Sequence, residues 1–110
     1  MLSMHGETLK GHLDLLVLAA LKSGPLHGYA VIQALRERSE EAFDLPEGTV
    51  YPVLHRLERA GLLSSNWDDE TGRRRRVYQL TKAGRTAMRQ QTEVWLSFAR
   101  AVSAVVGVAP

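Results

Sequence analysis

The chain has 110 residues, enough for one modest hydrophobic core and too few for a multidomain enzyme. Its 45% hydrophobic and 24% charged residues match a folded globular chain and exclude a wholly disordered one. The formal net charge is only +2 while the pI is about 9.3, so the distribution of charge, not its total, has to say whether nucleic acid is a partner.

Taken in chain order, the first periodic segment runs from about Leu9 to Ser23. Leu9, Leu13, Leu16, Val17 and Ala20 recur at helical spacing, and Leu15, Leu18 and Leu21 make this helix apolar nearly all round, so it is expected to lie between other elements. Ser23-Gly24-Pro25 ends it, because glycine caps helices and proline cannot continue them. A second helix is predicted over about Gly28 to Ser39, with Tyr29, Ile32, Ala34 and Leu35 on its inner side. Glu40, Glu41 and Asp44 then form an acidic, solvated turn.

A third helix is expected within Glu47 to Ala60. Val50, Val53, Leu54 and Leu57 fall on one side of a 3.6-residue wheel; Gly48, Pro52, His55 and Arg59 fall opposite, with Thr49, Tyr51 and Arg56 on the flanks. Pro52 allows two starts. Either the helix begins near Thr49, with Pro52 in its first turn, or it begins earlier and bends there. After Gly61 the period changes from 3.6 to 2. Leu62 to Asp68 and Arg74 to Leu80 read as two strands joined by a turn of Asp69, Glu70, Thr71, Gly72 and Arg73, with the glycine available for a positive φ. Tyr78 and Leu80 share one face, Val77 and Gln79 the other. Thr81 is the expected N-cap of a last helix running from Lys82 to about Val106. At ~1.5 Å per residue such a helix is ~37 Å long, more than so small a domain is wide. Gly84 is its one weak point near the start.

The expected fold is therefore mainly α with a small β-hairpin: a winged helix-turn-helix over residues 1–80 and a long C-terminal dimerisation helix over 81–110. A strand-poor helical bundle is the alternative.

Charge is concentrated. Thr71 to Thr92 holds no acidic residue but contains Arg73, Arg74, Arg75, Arg76, Lys82, Arg85 and Arg89, a +7 segment balanced by −5 elsewhere. Four arginines after a hairpin glycine form a basic wing suited to phosphates or to a narrow minor groove. Alternation turns two of the four the other way, and Asp68, Asp69 and Glu70 are available as local partners. On the third helix, Thr49, Tyr51, His55, Arg56 and Arg59 supply groups that hold phosphates or read base edges.

Met88, Trp95, Phe98, Val102 and Val105 make a narrow apolar seam along the last helix, as in paired helices. The first helix, with Leu13, is expected to share this dimer interface; the alternative is a tail folded back on its own domain. Trp95 and Phe98 are also candidates to stack a small planar aromatic effector, against the plainer role of interface packing.

The chain has no cysteine, which removes disulfides, thiolate metal sites and thiol nucleophiles. No histidine shares ligand-like spacing with another His, Asp or Glu, and no phosphate-binding or nucleophile-elbow motif occurs. Neither an enzyme, a metal nor a cofactor is expected. The first dozen residues lack a leader pattern, and the longest apolar run, Leu15 to Leu21, is far short of the ~20 residues of a spanning helix. A cytoplasmic protein is expected.

Three blocks resemble the PadR family of bacterial regulators: Gly24-Pro25-Leu26-His27-Gly28-Tyr29, Gly48-Thr49-Val50-Tyr51-Pro52-Val53-Leu54-His55-Arg56-Leu57-Glu58-Arg59-Ala60-Gly61-Leu62, and Tyr78-Gln79-Leu80-Thr81-Lys82-Ala83-Gly84. His27 stands where an aromatic residue is common in that family. The resemblance spans roughly Leu9 to Phe98. It implies a homodimeric transcription factor, usually a repressor, on a pseudo-palindromic operator in double-stranded DNA, with a small aromatic effector relieving repression. It also implies that Tyr29 and Tyr51 hold phosphates, that Thr49, Pro52, His55 and Arg56 lie at the groove, and that Gly72 and the following arginines form the wing. A winged-helix protein–protein adaptor is the alternative function; such domains usually lack so basic a wing.

Overall fold

The computed structural model describes Leu9, residues 11–69 and residues 72–109. Outside them lie Glu70 and Thr71 at the centre of the expected turn, and most of the N-terminal stretch without a leader pattern. The elements are α1 (Leu13–Ala20), β1 (Leu26–His27), α2 (Gly28–Arg38), α3 (Glu47–Arg59), β2 (Leu63–Asp68), β3 (Arg75–Leu80) and α4 (Lys82–Val106). The core gathers Val17, Leu18 and Leu21 near α1, Val31 and Leu35 from α2, Val50, Val53, Leu54 and Leu57 from α3, and Leu63, Tyr78 and Leu80 from the sheet. The face assigned to α3 by its wheel is the face it buries.

α1 is shorter than its apolar run. Gly11 has φ +92, a left-handed conformation that cannot be part of a right-handed helix. Leu9 nevertheless reaches the core, and its carbonyl accepts the His12 N–H at 2.9 Å. α3 begins at Glu47, so Pro52 lies inside the helix, which decides between the two starts. Pro52 is exposed and donates no backbone hydrogen bond.

The expected hairpin is part of a three-stranded antiparallel sheet of order β1-β3-β2. The added strand pairs Leu26 with Tyr78 and His27 with Val77. Two residues are too short to show alternation, so β1 exists only through its pairing. Across the wing Leu63 faces Leu80, Ser65 faces Tyr78 and Trp67 faces Arg76; these residues share one face of the sheet.

Gly84 is a requirement of the fold, not a weakness. A Cβ there would lie 2.0 Å from the Leu62 carbonyl oxygen. The same corner is tied by Thr81, whose hydroxyl donates to the Gly61 carbonyl at 2.7 Å and accepts the Gly84 N–H at 3.0 Å, and whose N–H donates to the Leu62 carbonyl at 3.1 Å. α4 therefore leaves the wing in a set direction. It ends at Gly107, φ +88, with a left-handed cap. Leu13 and Met88 of the expected dimer seam pack partly on the chain's own core, but Trp95, Phe98, Val102 and Val105 remain 45%, 61%, 43% and 89% exposed. The far half of α4 does not fold back.

Candidate nucleic-acid interface

One concave surface of about 650 Å³ opens between α3, the start of α2 and the wing. His27, Gly28 and Tyr29 line it from β1 and α2, and Glu47, Tyr51 and His55 from α3; Trp67, Tyr78 and Arg73 to Arg76 complete it from the wing. Of the residues expected to bind DNA, this brings together Tyr29, Tyr51, His55, Arg73, Arg74 and Arg75. Pro52 and Arg59 are exposed on α3, Thr49 is half-buried there, and Gly72 (φ +77) turns the wing.

The first helical turn of α2 builds one wall. His27 caps it: Nδ1 accepts the Ala30 N–H at 3.3 Å. Burial first, then the neighbouring Arg75 charge, push the His27 imidazole below its ordinary pKa, which keeps it neutral. Its Nε2 lies 3.1 Å from Arg75 Nη1. A neutral imidazole has one lone pair for ring-plane acceptance, so it cannot accept from both Ala30 and Arg75. Arg75 Nε, moreover, is buried with no hydrogen-bond acceptor among the described residues. Arg75 is thus an under-satisfied cation at the edge of the concavity. Gly28 is buried because the Tyr51 ring lies against it; a Cβ there would be 2.5 Å from Tyr51 Cε1. Burial, then Glu47, raise the Tyr51 phenol pKa, so its hydroxyl stays a donor. Tyr51 and His55 are neighbours on α3, with ring centroids 6.4 Å apart.

The wing arginines divide as alternation requires. Arg74 and Arg76 lie on the inner face, with guanidinium carbons 4.4 Å and 5.1 Å from the Trp67 ring centroid. Arg76 Nε also donates to Ser65 Oγ at 2.7 Å, and that hydroxyl donates to Glu58. Arg74 reaches Asp69 at 3.9 Å. Arg73 has no ion-pair partner among the described residues. Trp67 and His27 are not among the residues expected at the site, and Arg76 is expected only as part of the basic wing. Strand alternation puts Trp67 on the face of alternate arginines, but only the folded chain shows that this face opens into the concavity there.

Arg56, expected at the groove, is exposed on α3 and already engaged within the chain. Its guanidinium makes a bidentate pair with Asp14 of α1, at 2.6 Å and 3.0 Å, and that bond raises its pKa further. With the side chains 52% and 35% exposed, such a pair contributes at most about 1 kcal/mol. Asp14 in turn lines a second concavity of about 530 Å³ between α1 and α4, shared with Leu15, Gln91, Val94, Trp95 and Phe98. The two aromatic residues suggested for an effector thus do meet in one groove. Among the described residues no helix is long and apolar enough to cross a membrane.

The sequence model of the transcriptional regulator PadR-like family matches residues 17–90. The chain is 42% identical over 77 residues to the transcriptional regulator Rv3488 of Mycobacterium tuberculosis, covering 70% of this chain and 69% of that protein. A transcriptional regulator from Clostridium thermocellum has a similar structure: TM-score 0.82 at 27% identity, over 90% of this chain and 97% of that one. Bacillus subtilis PadR, solved in complex with operator DNA, shares the fold with TM-score 0.67 at 22% identity, over 74% of this chain and 46% of that one. With its family blocks placed on a winged helix and a long C-terminal helix, this chain belongs to the PadR-like family of transcriptional regulators.

Proposed function

We propose that this regulator acts in the cytoplasm as a homodimeric repressor that binds a pseudo-palindromic operator in duplex DNA and releases it when a small planar aromatic ligand enters the α1–α4 groove. The observation that carries the DNA reading is the basic concavity that unites the start of α2, the outer side of α3 and the arginine strand β3. Free N–H groups at a helix start favour phosphate, Tyr29 and Tyr51 supply hydroxyl donors, and Arg75 Nε has no acceptor among the described residues. Thr49, Pro52, His55, Arg56 and Arg59 face the major groove, and Gly72 lets Arg73, Arg74 and Arg75 approach the flanking backbone. The same kind of fold stands on operator DNA in the Bacillus subtilis protein.

The exposed stripe of Trp95, Phe98, Val102 and Val105 supports pairing with a second copy, with Leu13 and Met88 at its inner end. A two-fold dimer presents two reading helices to half-sites ~34 Å apart. An aromatic ligand between Trp95 and Phe98 would release DNA by favouring a spacing that mismatches the half-sites. Binding of a labelled duplex at several salt concentrations tests the DNA reading. Affinity should fall steeply, with a log–log slope of about −0.9 per phosphate contacted; a salt-independent or absent interaction favours a protein adaptor. For the effector, Trp95 fluorescence in a Trp67→Phe chain should respond to planar aromatic compounds that also release the duplex. A response without release rejects the regulatory part.

A further inference from the structure

Trp67 is a large aromatic residue left 51% exposed on a strand of a small domain, and it does not belong to the core cluster. Its place is decided by register. Trp67 lies on the same sheet face as Leu63, Leu80, Ser65 and Tyr78, but beyond the point where that face is covered by α3. It therefore opens into the basic concavity rather than into the interior or away from it. Two guanidinium groups flank its ring, Arg74 at 4.4 Å and Arg76 at 5.1 Å.

We propose that Trp67 is a positioning residue for DNA: a platform that holds Arg74 and Arg76 toward backbone phosphates and packs its own exposed edge on the deoxyribose. The proposal rests on the DNA-binding reading above and adds a residue to it. A guanidinium lying over an indole uses its flat face for the ring, where the electrostatic attraction is. Its in-plane N–H groups lie outside the contact with the ring, and those are the groups that fit a phosphate. Arg74 Nε approaches Asp69 only at 3.9 Å, while Arg76 already donates Nε to Ser65 and keeps its terminal nitrogens 3.6 Å or more from Glu58. Arginine is a long and mobile side chain, so holding it before DNA arrives removes part of the ordering cost of binding. The indole Nε1–H is a further donor, and the carbon edge suits a sugar. Charge argues for DNA as the occupant: the concavity carries Arg73, Arg74, Arg75 and Arg76 against Glu47 alone among its acidic linings.

Positioning and charge separate in a salt titration. In fluorescence anisotropy with a labelled mixed-sequence duplex, Trp67→Leu should bind roughly three- to tenfold more weakly at fixed salt. Its log–log salt slope should stay that of the wild type, because the charges remain on the wing. Arg74→Gln should flatten the slope by about 0.9. Trp67→Phe, which keeps an aromatic face, should recover part of the affinity. Thermal midpoints should match, since the residue is outside the core; if Trp67→Leu unfolds early, the comparison of Trp67→Phe with wild type carries the test. Wild-type affinity in both variants overturns the proposal. So does a slope flattened as in Arg74→Gln, which would make the indole part of the wing's fold. A wild-type chain that binds no duplex overturns this proposal and the DNA reading together.

Discussion

The concave face between α3 and the wing, and the apolar face of α4 beyond Val94, are the two surfaces proposed to meet another molecule, and the lone chain leaves them in different states. On the concave side, two of the wing cations already have internal company, Arg74 with Trp67 and Asp69 and Arg76 with Ser65 and Glu58, and beside it on α3 Arg56 pairs with Asp14. Along α4, Trp95, Phe98, Val102 and Val105 stand exposed. The difference follows from the forces involved. A surface ion pair or cation–π contact is worth about 1 kcal/mol or less and is readily exchanged for another partner. A charged interface can therefore be held in shape by the lone chain. Apolar surface has no weak substitute for burial, so the exposed stripe is where the proposed second copy would gain most.

The sharpest way to break this contrast is to charge the stripe. Phe98→Glu combined with Val102→Glu should raise the dimer dissociation constant by about two orders of magnitude or more, since each large apolar side chain contributes about 1.5–3 kcal/mol when buried. Sedimentation velocity reads the effect directly. A wild-type chain that already sediments as a monomer defeats the dimer reading, whatever the variant does.

Next in size is the corner where the two regions join. Gly84→Ala places a methyl group 2.0 Å from the Leu62 carbonyl oxygen, a backbone atom that cannot swing away. The gain in helix propensity is ~1 kcal/mol, yet overpacking should leave the chain about 1–2 kcal/mol less stable in denaturant melts. A stabilised variant would show that α4 can shift freely on the wing.

Smaller effects probe the exchangeable cations. If Arg56 reads DNA, Asp14 is its internal competitor. Asp14→Asn should then tighten duplex binding by about two- to fivefold, the equivalent of an exposed ion pair, while Arg56→Ala weakens it, by ~1–3 kcal/mol at one base position if the contact is to a guanine. Loss of affinity in both variants would instead make the pair a strut that orients α3 on α1. The opposite signs are visible in one set of binding isotherms.

The smallest effect is acid sensitivity. The folded chain holds His27 below its ordinary pKa, so in acid the unfolded chain binds the proton first. The stabilising contribution is complete above about pH 6.5, and falls away as pH drops through the depressed folded value. Protonation also removes the Nδ1 lone pair that accepts the Ala30 N–H. His27→Asn keeps a capping side chain without a titrating group, and its thermal midpoint should depend less on pH between neutrality and pH 5. An unchanged pH profile would mean that the His27 cap is exchanged for water at little cost.

Much of this molecule was legible without coordinates, because much of it is local. The apolar wheel of Val50, Val53, Leu54 and Leu57 announces α3; Thr81 and Gly107 bracket α4; Gly72 marks the wing; and the run from Arg73 to Arg76 concentrates the charge. Propensity, capping and alternation operate over a few residues, so a single sequence displays them. What tertiary structure alone decided lies between distant residues. β1 is a strand only because β3 runs beside it. Gly84 is obligatory only because Leu62 is there. Arg56 meets a carboxylate 42 positions away, and Trp67 becomes part of the concavity only where the sheet outruns α3. Each depends on which surfaces the shared core brings together, and that juxtaposition is a property of the packed chain rather than of any segment of it.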